Sequence, residues 1–283
     1  MKSISLKSYG KINIFLHILG KRPDGFHELF TLFSKISLFD TLNIKKSDKQ
    51  VIFCTKKNIP TDDSNIINQV QKILEDDYGV TQRFETELIK NIPDGGGLGG
   101  GSSNAAVYLN GVCELLSLDM DIKTKTDIMA RVGSDTAFFL HDEPMIGEGR
   151  GEVLTKFGSL PNCTLLLVNP GIHVPTGKVF SSENLTLTKH REVNRMRHAS
   201  EYEEYAELLY NGLEETVFNL FPLVKEAKDS LLSAGADFAL MSGSGATVFG
   251  IFPDDKSAEV AKLTIRKQQP DWDVYLTHLV QKI

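Results

Sequence analysis

The chain is short of the residues that staple or anchor proteins outside the cell. Its 283 residues include only three cysteines. Cys54, Cys113 and Cys163 are odd in number and far apart, so neither a disulfide framework nor a zinc site is implied, and a reduced cytoplasmic setting is expected. Long apolar runs are missing as well: no stretch approaches the roughly 20 residues that span a bilayer, and the opening MKSISLKSYGKIN lacks the apolar segment of a signal peptide. Membranes are therefore not expected as partners. Clustered positive charge is also absent. With a net charge of -6 and no basic run, nucleic acid is not expected as the principal partner, and the densest basic patch, residues 189–198, reads as a solvated face. The remainder, 41% hydrophobic and 24% charged, suits one large domain or two moderate ones with a sizeable core.

Glycine, by contrast, is concentrated in one place. The stretch Pro93-Asp94-Gly95-Gly96-Gly97-Leu98-Gly99-Gly100-Gly101-Ser102-Ser103-Asn104-Ala105-Ala106 puts six glycines into seven positions. Each ordered glycine costs roughly 0.5–1 kcal/mol relative to alanine, so such a loop is not kept for stability. Something must approach its backbone closely. Ser102 or Ser103 is expected to cap a helix whose apolar positions Ala106, Leu109, Val112, Cys113 and Leu116 recur at helical spacing. The loop then delivers free amides and the positive end of a helix dipole to an anion, and a polyphosphate fits that cradle.

Three nucleotide loops compete for the stretch. A P-loop requires a lysine before its Ser/Thr, and Gly101 is followed directly by Ser102. The dinucleotide fingerprint is met by Gly95, Gly97 and Gly100, with Asp119 and Asp121 downstream, but it requires a strand after the helix. MDIKTKTDIMARVGSDTAFF reads instead as a second helix leading to a glycine. The third form, a Gly-Leu-Gly-Gly-Gly-Ser-Ser run ending in Asn-Ala-Ala, is taken up below.

Along the chain, Gly10 to Ile18 alternates as a strand with one apolar face buried and with Lys11 and Asn13 sharing the other. A turn follows at Arg22-Pro23-Asp24-Gly25. Ser64 is expected to cap a helix ending near Gly79, and Phe84 to Leu88 reads as a strand. The character changes near Gly158-Ser159-Leu160-Pro161, so domains are placed at 1–157 and 158–283. Beyond that lie a strand at 164–168, helices at about 200–220 and 222–234, two strands joined by a Gly-Ser turn between 238 and 252, a helix from about 255 and a strand near 275. Strands and helices alternate without a strict βαβ rhythm, which indicates an α+β fold.

Four motifs in order carry a resemblance over most of the chain: Gly10-Lys11-Ile12-Asn13-Ile14-Phe15-Leu16, Arg22-Pro23-Asp24-Gly25-Phe26-His27, the glycine loop, and Met241-Ser242-Gly243-Ser244-Gly245-Ala246. The set resembles the GHMP small-molecule kinases, and among them a branch whose acceptor is a cytidine diphosphate derivative. The resemblance implies a two-domain fold, with an N-terminal ribosomal-protein-S5-like ATP domain and a C-terminal ferredoxin-like domain. It implies ATP as cosubstrate with Mg2+, a small-molecule acceptor, and a monomer or homodimer. Lys11 and Asp135 are implied as the catalytic pair, and Pro93, Asp94, Gly95, Gly96, Gly97, Leu98, Gly99, Gly100, Gly101, Ser102 and Ser103 as the ATP loop. Asn13, Phe26, His27, Thr176 and Phe180 are implied for the acceptor, with Phe26 and Phe180 sandwiching its ring; no residue is assigned to a metal. Three departures stand out: Gly10 replaces an alanine, Phe26 a tyrosine, and the proline after Asp135-Thr136 is missing. Two alternatives stay open: a related kinase for mevalonate, homoserine or a sugar, and a non-catalytic nucleotide-binding regulator.

Overall fold

The computed structural model describes residues 2–183, 185–188 and 209–280. By packing, the chain forms two compact units: Met1–Gly10, Leu38–Asp94 and Gly99–His141 make the first, and Lys11–Ser37, Gly95–Leu98 and Asp142–Ile283 the second. This interleaved division differs from a cut between residues 157 and 158. The reason lies in two strands, β1 (Ser3–Lys21) and β2 (His27–Ser47), of 19 and 21 residues. At about 3.3 Å per residue each is far longer than the strands of an ordinary domain, so each contributes residues to both units.

In the first unit, β4 (Arg83–Ile89) pairs antiparallel with the end of β2 and parallel with β3 (Val51–Cys54). Three helices, α1 (Ile66–Tyr78), α2 (Gly100–Leu116) and α3 (Ile122–Val132), and a 3-10 turn (Thr136–Leu140) pack with one another. Leu42, Ile44, Val70, Leu74, Phe84, Tyr108, Leu109 and Phe138 are buried there. The cap of α1 is Asn65, whose side chain accepts from the Ile67 amide at 2.9 Å. Ser64, expected in that role, is instead held by Asp62. The helix ends at Gly79 in the left-handed region, φ 66°, where glycine carries no Cβ penalty. Residues 122–132 are helical as expected, and Asp121 caps them through the Thr124 amide.

The second unit is built on a four-stranded antiparallel sheet in the order β11-β7-β10-β9, with β7 (Thr164–Asn169), β9 (Phe238–Met241), β10 (Val248–Phe252) and β11 (Asp273–His278). Two helices, α6 (Pro222–Ser233) and α7 (Asp255–Gln268), complete a β-α-β-β-α-β sequence, the ferredoxin-like arrangement. Leu166, Val168, Val224, Ala227, Leu231, Val248, Phe252, Ala261 and Ile265 form its core with Leu16 and Ile18 of β1. The same unit contains a hairpin, β5 (Met145–Gly149) and β6 (Val153–Lys156), whose first strand pairs with Leu29 to Phe33 of β2. A short helix, α4 (Thr176–Phe180), follows β7.

Of the helix expected at about 200–220, the part within the described residues begins only at Glu214. Residues 200–208 lie outside the described residues, as does the basic patch at 189–198. Tyr210 and Asn211 form β8, paired parallel to Phe15 and Leu16, and the helix that follows, α5, is Glu214–Leu220. Among the described residues no helix is long and apolar enough to cross a membrane.

Candidate active site

In the second unit the polar residues of β1 are not on an outer face. Lys11 and Asn13 are 4% and 3% exposed, so the strand is buried on both sides. Burial of an ammonium and an amide is tolerable because they satisfy each other. Lys11 Nζ donates to Asn13 Oδ1 at 2.7 Å, Asn13 Nδ2 to Thr31 Oγ1 at 2.8 Å, and the Thr31 hydroxyl to the Phe15 carbonyl at 2.6 Å. Nothing in local alternation distinguishes this from a solvated polar face. Thr31, twenty residues from Lys11, is absent from the motifs and is found only through the pairing of the strands.

His17 continues that face. It is buried, stacked on Tyr210 with ring centroids 4.6 Å apart, and its Nδ1 lies 3.0 Å from Thr188 Oγ1. Its Nε2 is buried without a hydrogen-bond partner. Burial pushes its pKa down from 6.5 to about 4. The folded protein thus prefers neutral His17, so stability is complete above the unfolded value of 6.5 and is lost as pH falls from there through 4. Between pH 7.5 and pH 5 this one group removes about 2 kcal/mol. Thermal melts at the two pH values check it: the drop should shrink in His17→Phe, which keeps the stacking on Tyr210, and an undiminished drop would assign the acid sensitivity elsewhere.

The motif Met241 to Ala246 grips the glycine loop within the same unit. Ser242 Oγ donates to the Gly97 carbonyl at 2.9 Å and the Thr247 amide to the Gly96 carbonyl at 3.2 Å. The Lys11 amide donates to the Leu98 carbonyl at 2.9 Å. A Cβ on Gly97, where φ is +75°, would stand 2.1 Å from the Ser242 carbonyl oxygen. A Cβ on Gly243 would meet Lys11 Nζ at 3.4 Å and Asn13 Oδ1 at 3.5 Å, so the ammonium lies against this turn. Asn211 Nδ2 fixes the turn from behind through the Met241 and Gly243 carbonyls, at 2.7 and 2.8 Å.

The proposed acceptor residues also belong to this unit. The turn before β2 closes with the Gly25 amide on the Arg22 carbonyl at 3.1 Å, and Asp24 accepts from the Phe26 amide at 3.1 Å. Phe26 is 54% exposed although its backbone is held. The rings expected to sandwich an acceptor each meet another group: Phe26 carries the Arg150 guanidinium 4.9 Å from its centroid, and Phe180 meets His27 at 5.3 Å with a 33° tilt. Arg150 stands between Gly149 and Gly151 after β5, and Glu28 joins the two places by accepting from Arg22 at 2.6 Å and from the Gly149 amide at 3.1 Å. Only the flanking glycines hinted at a special backbone there. Burial, with a smaller push from Lys21, holds His27 below the usual imidazole range, so it is neutral at pH 7 and carries both a donor and an acceptor. Thr176 Oγ1 lies 2.8 Å from Ser244 Oγ.

In the first unit the helix after the loop begins earlier than the serines suggested. Gly99, φ 66°, is the N-cap of α2 and makes no side-chain bond, so Ser102 and Ser103 lie in the first turn with their hydroxyls free of capping. Ser102 Oγ donates to Asp135 Oδ1 at 2.9 Å, and Ser103 Oγ accepts from Ser8 Oγ at 2.8 Å. Asp135 stands just before the 3-10 turn, whose Thr136 hydroxyl bonds the Met129 carbonyl at 2.6 Å. That bond fixes the segment where the family's proline is missing. Among the described residues no cluster of three His, Cys, Asp or Glu side chains is suited to a metal ion. A magnesium ion needs no such cage: one or two hard oxygens and the phosphates of a nucleotide suffice, and Ser102 Oγ with Asp135 Oδ1 supplies that donor set.

Comparison with known proteins places the chain in a family. Residues 65–143 match the GHMP kinases N terminal domain and residues 191–271 the GHMP kinases C terminal domain. These two matches define a GHMP kinase. A 4-diphosphocytidyl-2-C-methyl-D-erythritol kinase of Geobacter sp. (strain M21) is 40% identical over 270 residues, covering 94% of this chain and 96% of the relative. A crystal structure of 4-(cytidine 5'-diphospho)-2C-methyl-D-erythritol kinase superposes with a TM-score of 0.82 at 27% identity, over 98% of this chain and 99% of that one. The homoserine kinase of Cytophaga hutchinsonii, TM-score 0.73 at 18% identity over 99% and 96%, shares the fold. The chain belongs to the family of the 4-diphosphocytidyl-2-C-methyl-D-erythritol kinases.

Proposed function

We propose that this chain transfers the γ-phosphoryl group of ATP to the 2-hydroxyl of 4-diphosphocytidyl-2-C-methyl-D-erythritol, giving the 2-phosphate, a step in the non-mevalonate synthesis of isoprenoid precursors. The observation that carries the mechanism is the hydrogen bond of Ser102 to Asp135. It holds a carboxylate to the first turn of the helix that follows the glycine loop.

The phosphates of ATP lie along residues 93–103, bound by the backbone amides of the glycine-rich loop and the helix start. Ser102 Oγ and Asp135, together with the phosphates, would hold a magnesium ion, which when bound would neutralise charge developing on the transferred group. Asp135 orients the acceptor hydroxyl and takes its proton as the new P–O bond forms. Lys11, fixed by Asn13, stabilises oxygen charge on the hydroxyl or the phosphoryl group. A loose transition state asks little of the nucleophile, so the rigidity of both groups matters more than basicity. The cytosine ring is recognised by Phe26 and Phe180 through stacking and by neutral His27 through its hydrogen-bonding edge, with Asn13 and Thr176 lining the acceptor. The enzyme works in the cytoplasm as a monomer or homodimer, with functional domains at 1–157 and 158–283.

The test is ADP release by purified protein given ATP, magnesium and one acceptor at a time. Release with the cytidylyl acceptor is expected. Release with mevalonate and none with the cytidylyl compound would overturn the substrate assignment.

A further inference from the structure

The glycine loop has two ends in the first unit, one at Ile92 and the other in the first turns of α2. Both are tied to one carboxylate. Asp40, on β2, is fully buried, and its Oδ1 accepts from the Asn91 and Ile92 amides at 2.8 and 2.9 Å. Its Oδ2 accepts from Asn104 Nδ2 at 3.0 Å and from the ammonium of Lys90, itself 4% exposed in the side chain. Asn104 also donates to Ser8 Oγ at 2.8 Å, and Ser8 in turn to Ser103. Four donors thus fill the carboxylate's four acceptor positions, and all four come from the residues just before and just after the loop.

A buried ion pair is weak evidence for stability, because replacement by apolar residues is often neutral. What an apolar pair could not reproduce here is the geometry. Two backbone amides at one end of the loop and a side-chain amide at the other are referred to a single rigid group on a strand. The amides that would face a phosphate lie between those ends, and a displacement of about 1 Å at such a site can cost on the order of a hundredfold in rate.

We infer that Asp40 is a positioning residue for the nucleotide: through Asn91, Ile92 and Asn104 it sets the spacing of the two ends of the phosphate loop. The inference rests on the reading of residues 93–103 as the ATP site. Its signature is selectivity, since a residue needed only for folding would not separate the two substrates.

The experiment compares wild type, Asn104→Ala and Asp40→Asn as full chains, reading melting temperature and the KM for ATP and for the cytidylyl acceptor separately. Asn104→Ala breaks the helix end of the link and leaves the ion pair; about a tenfold rise in the KM for ATP is expected, with the acceptor KM within about twofold. Asp40→Asn turns an amide NH2 toward the Lys90 ammonium and the Asn104 amide, and a larger rise, about a hundredfold, is expected in whatever fraction folds. Should Asp40→Asn fail to fold, Asn104→Ala decides alone. An ATP KM within twofold of wild type in a folded Asn104→Ala, or equal rises for both substrates, would overturn the inference while wild-type turnover left the kinase reading standing. A wild type that does not saturate with ATP would remove both.

Discussion

Asp135→Asn should lower kcat by about 10²–10⁴-fold and leave ATP affinity within twofold of wild type. Ser102 donates to Asp135 Oδ1 at 2.9 Å, and an asparagine carbonyl in the same place accepts that hydrogen bond equally well. The substitution therefore keeps the contact that fixes the side chain to α2. The chemistry is lost, since an amide cannot take the acceptor's proton. Binding should persist, because the phosphates are held mainly by backbone amides of the loop and the helix start, which the exchange does not touch. Single-turnover ADP release gives the chemical step and calorimetric titration with a non-hydrolysable ATP analogue gives the affinity. Near-normal turnover would remove Asp135 from the proton transfer. An equal loss of affinity would show that the carboxylate is needed to bind the nucleotide and not only for the transfer step.

What the sequence discloses and what it hides divide along physical lines. The glycine loop is legible because its cost has no other explanation, and the helix after α2 is legible because Ile128, Met129 and Val132 share a helical face that ends at Gly133. The start of α2 is not. Ser102 and Ser103 are good caps by type, but Gly99 adopts the left-handed conformation first, and that frees both hydroxyls for Asp135 and Ser8. The polar face of β1 is misread for a related reason: alternation reports which side chains share a face, not whether that face meets water. Lys11 and Asn13 are buried with each other and Thr31, and a period of two contains no trace of it. Asp40 is the extreme case. In Ser37-Leu38-Phe39-Asp40-Thr41-Leu42 alternation sets it on the inward face with Leu42, but the donors that make a buried carboxylate tolerable there are some fifty or more residues away. The same limit applies to Arg150, whose place over Phe26 depends on β5 pairing with β2. Long-range pairing assembles these contacts, and local pattern cannot encode a partner.

Two glycines of the loop should respond oppositely to alanine, and the contrast tests what the loop is for. At Gly97 the reason for glycine is internal: φ is +75° and an added Cβ would stand 2.1 Å from a backbone oxygen of Ser242, which cannot swing aside. The left-handed backbone and the forced displacement together should cost on the order of 3 kcal/mol, and the Ser242 and Thr247 bonds to the loop should weaken with it. Gly97→Ala is therefore expected to lower the melting temperature and to cut kcat/KM for ATP by about a hundredfold or more. Gly101 is different. It is exposed in the first turn of α2, and an added Cβ would meet nothing within 4 Å. Alanine there should stabilise the helix by up to about 1 kcal/mol, so the protein's own packing gives no reason for glycine at that position. If a phosphate lies against this turn, Gly101→Ala will raise the KM for ATP while the melting temperature holds or rises, because the methyl group occupies space that belongs to the ligand. A variant that is more stable and equally fast would show that no phosphate approaches the main chain at Gly101, and the triphosphate would then have to end before α2 begins.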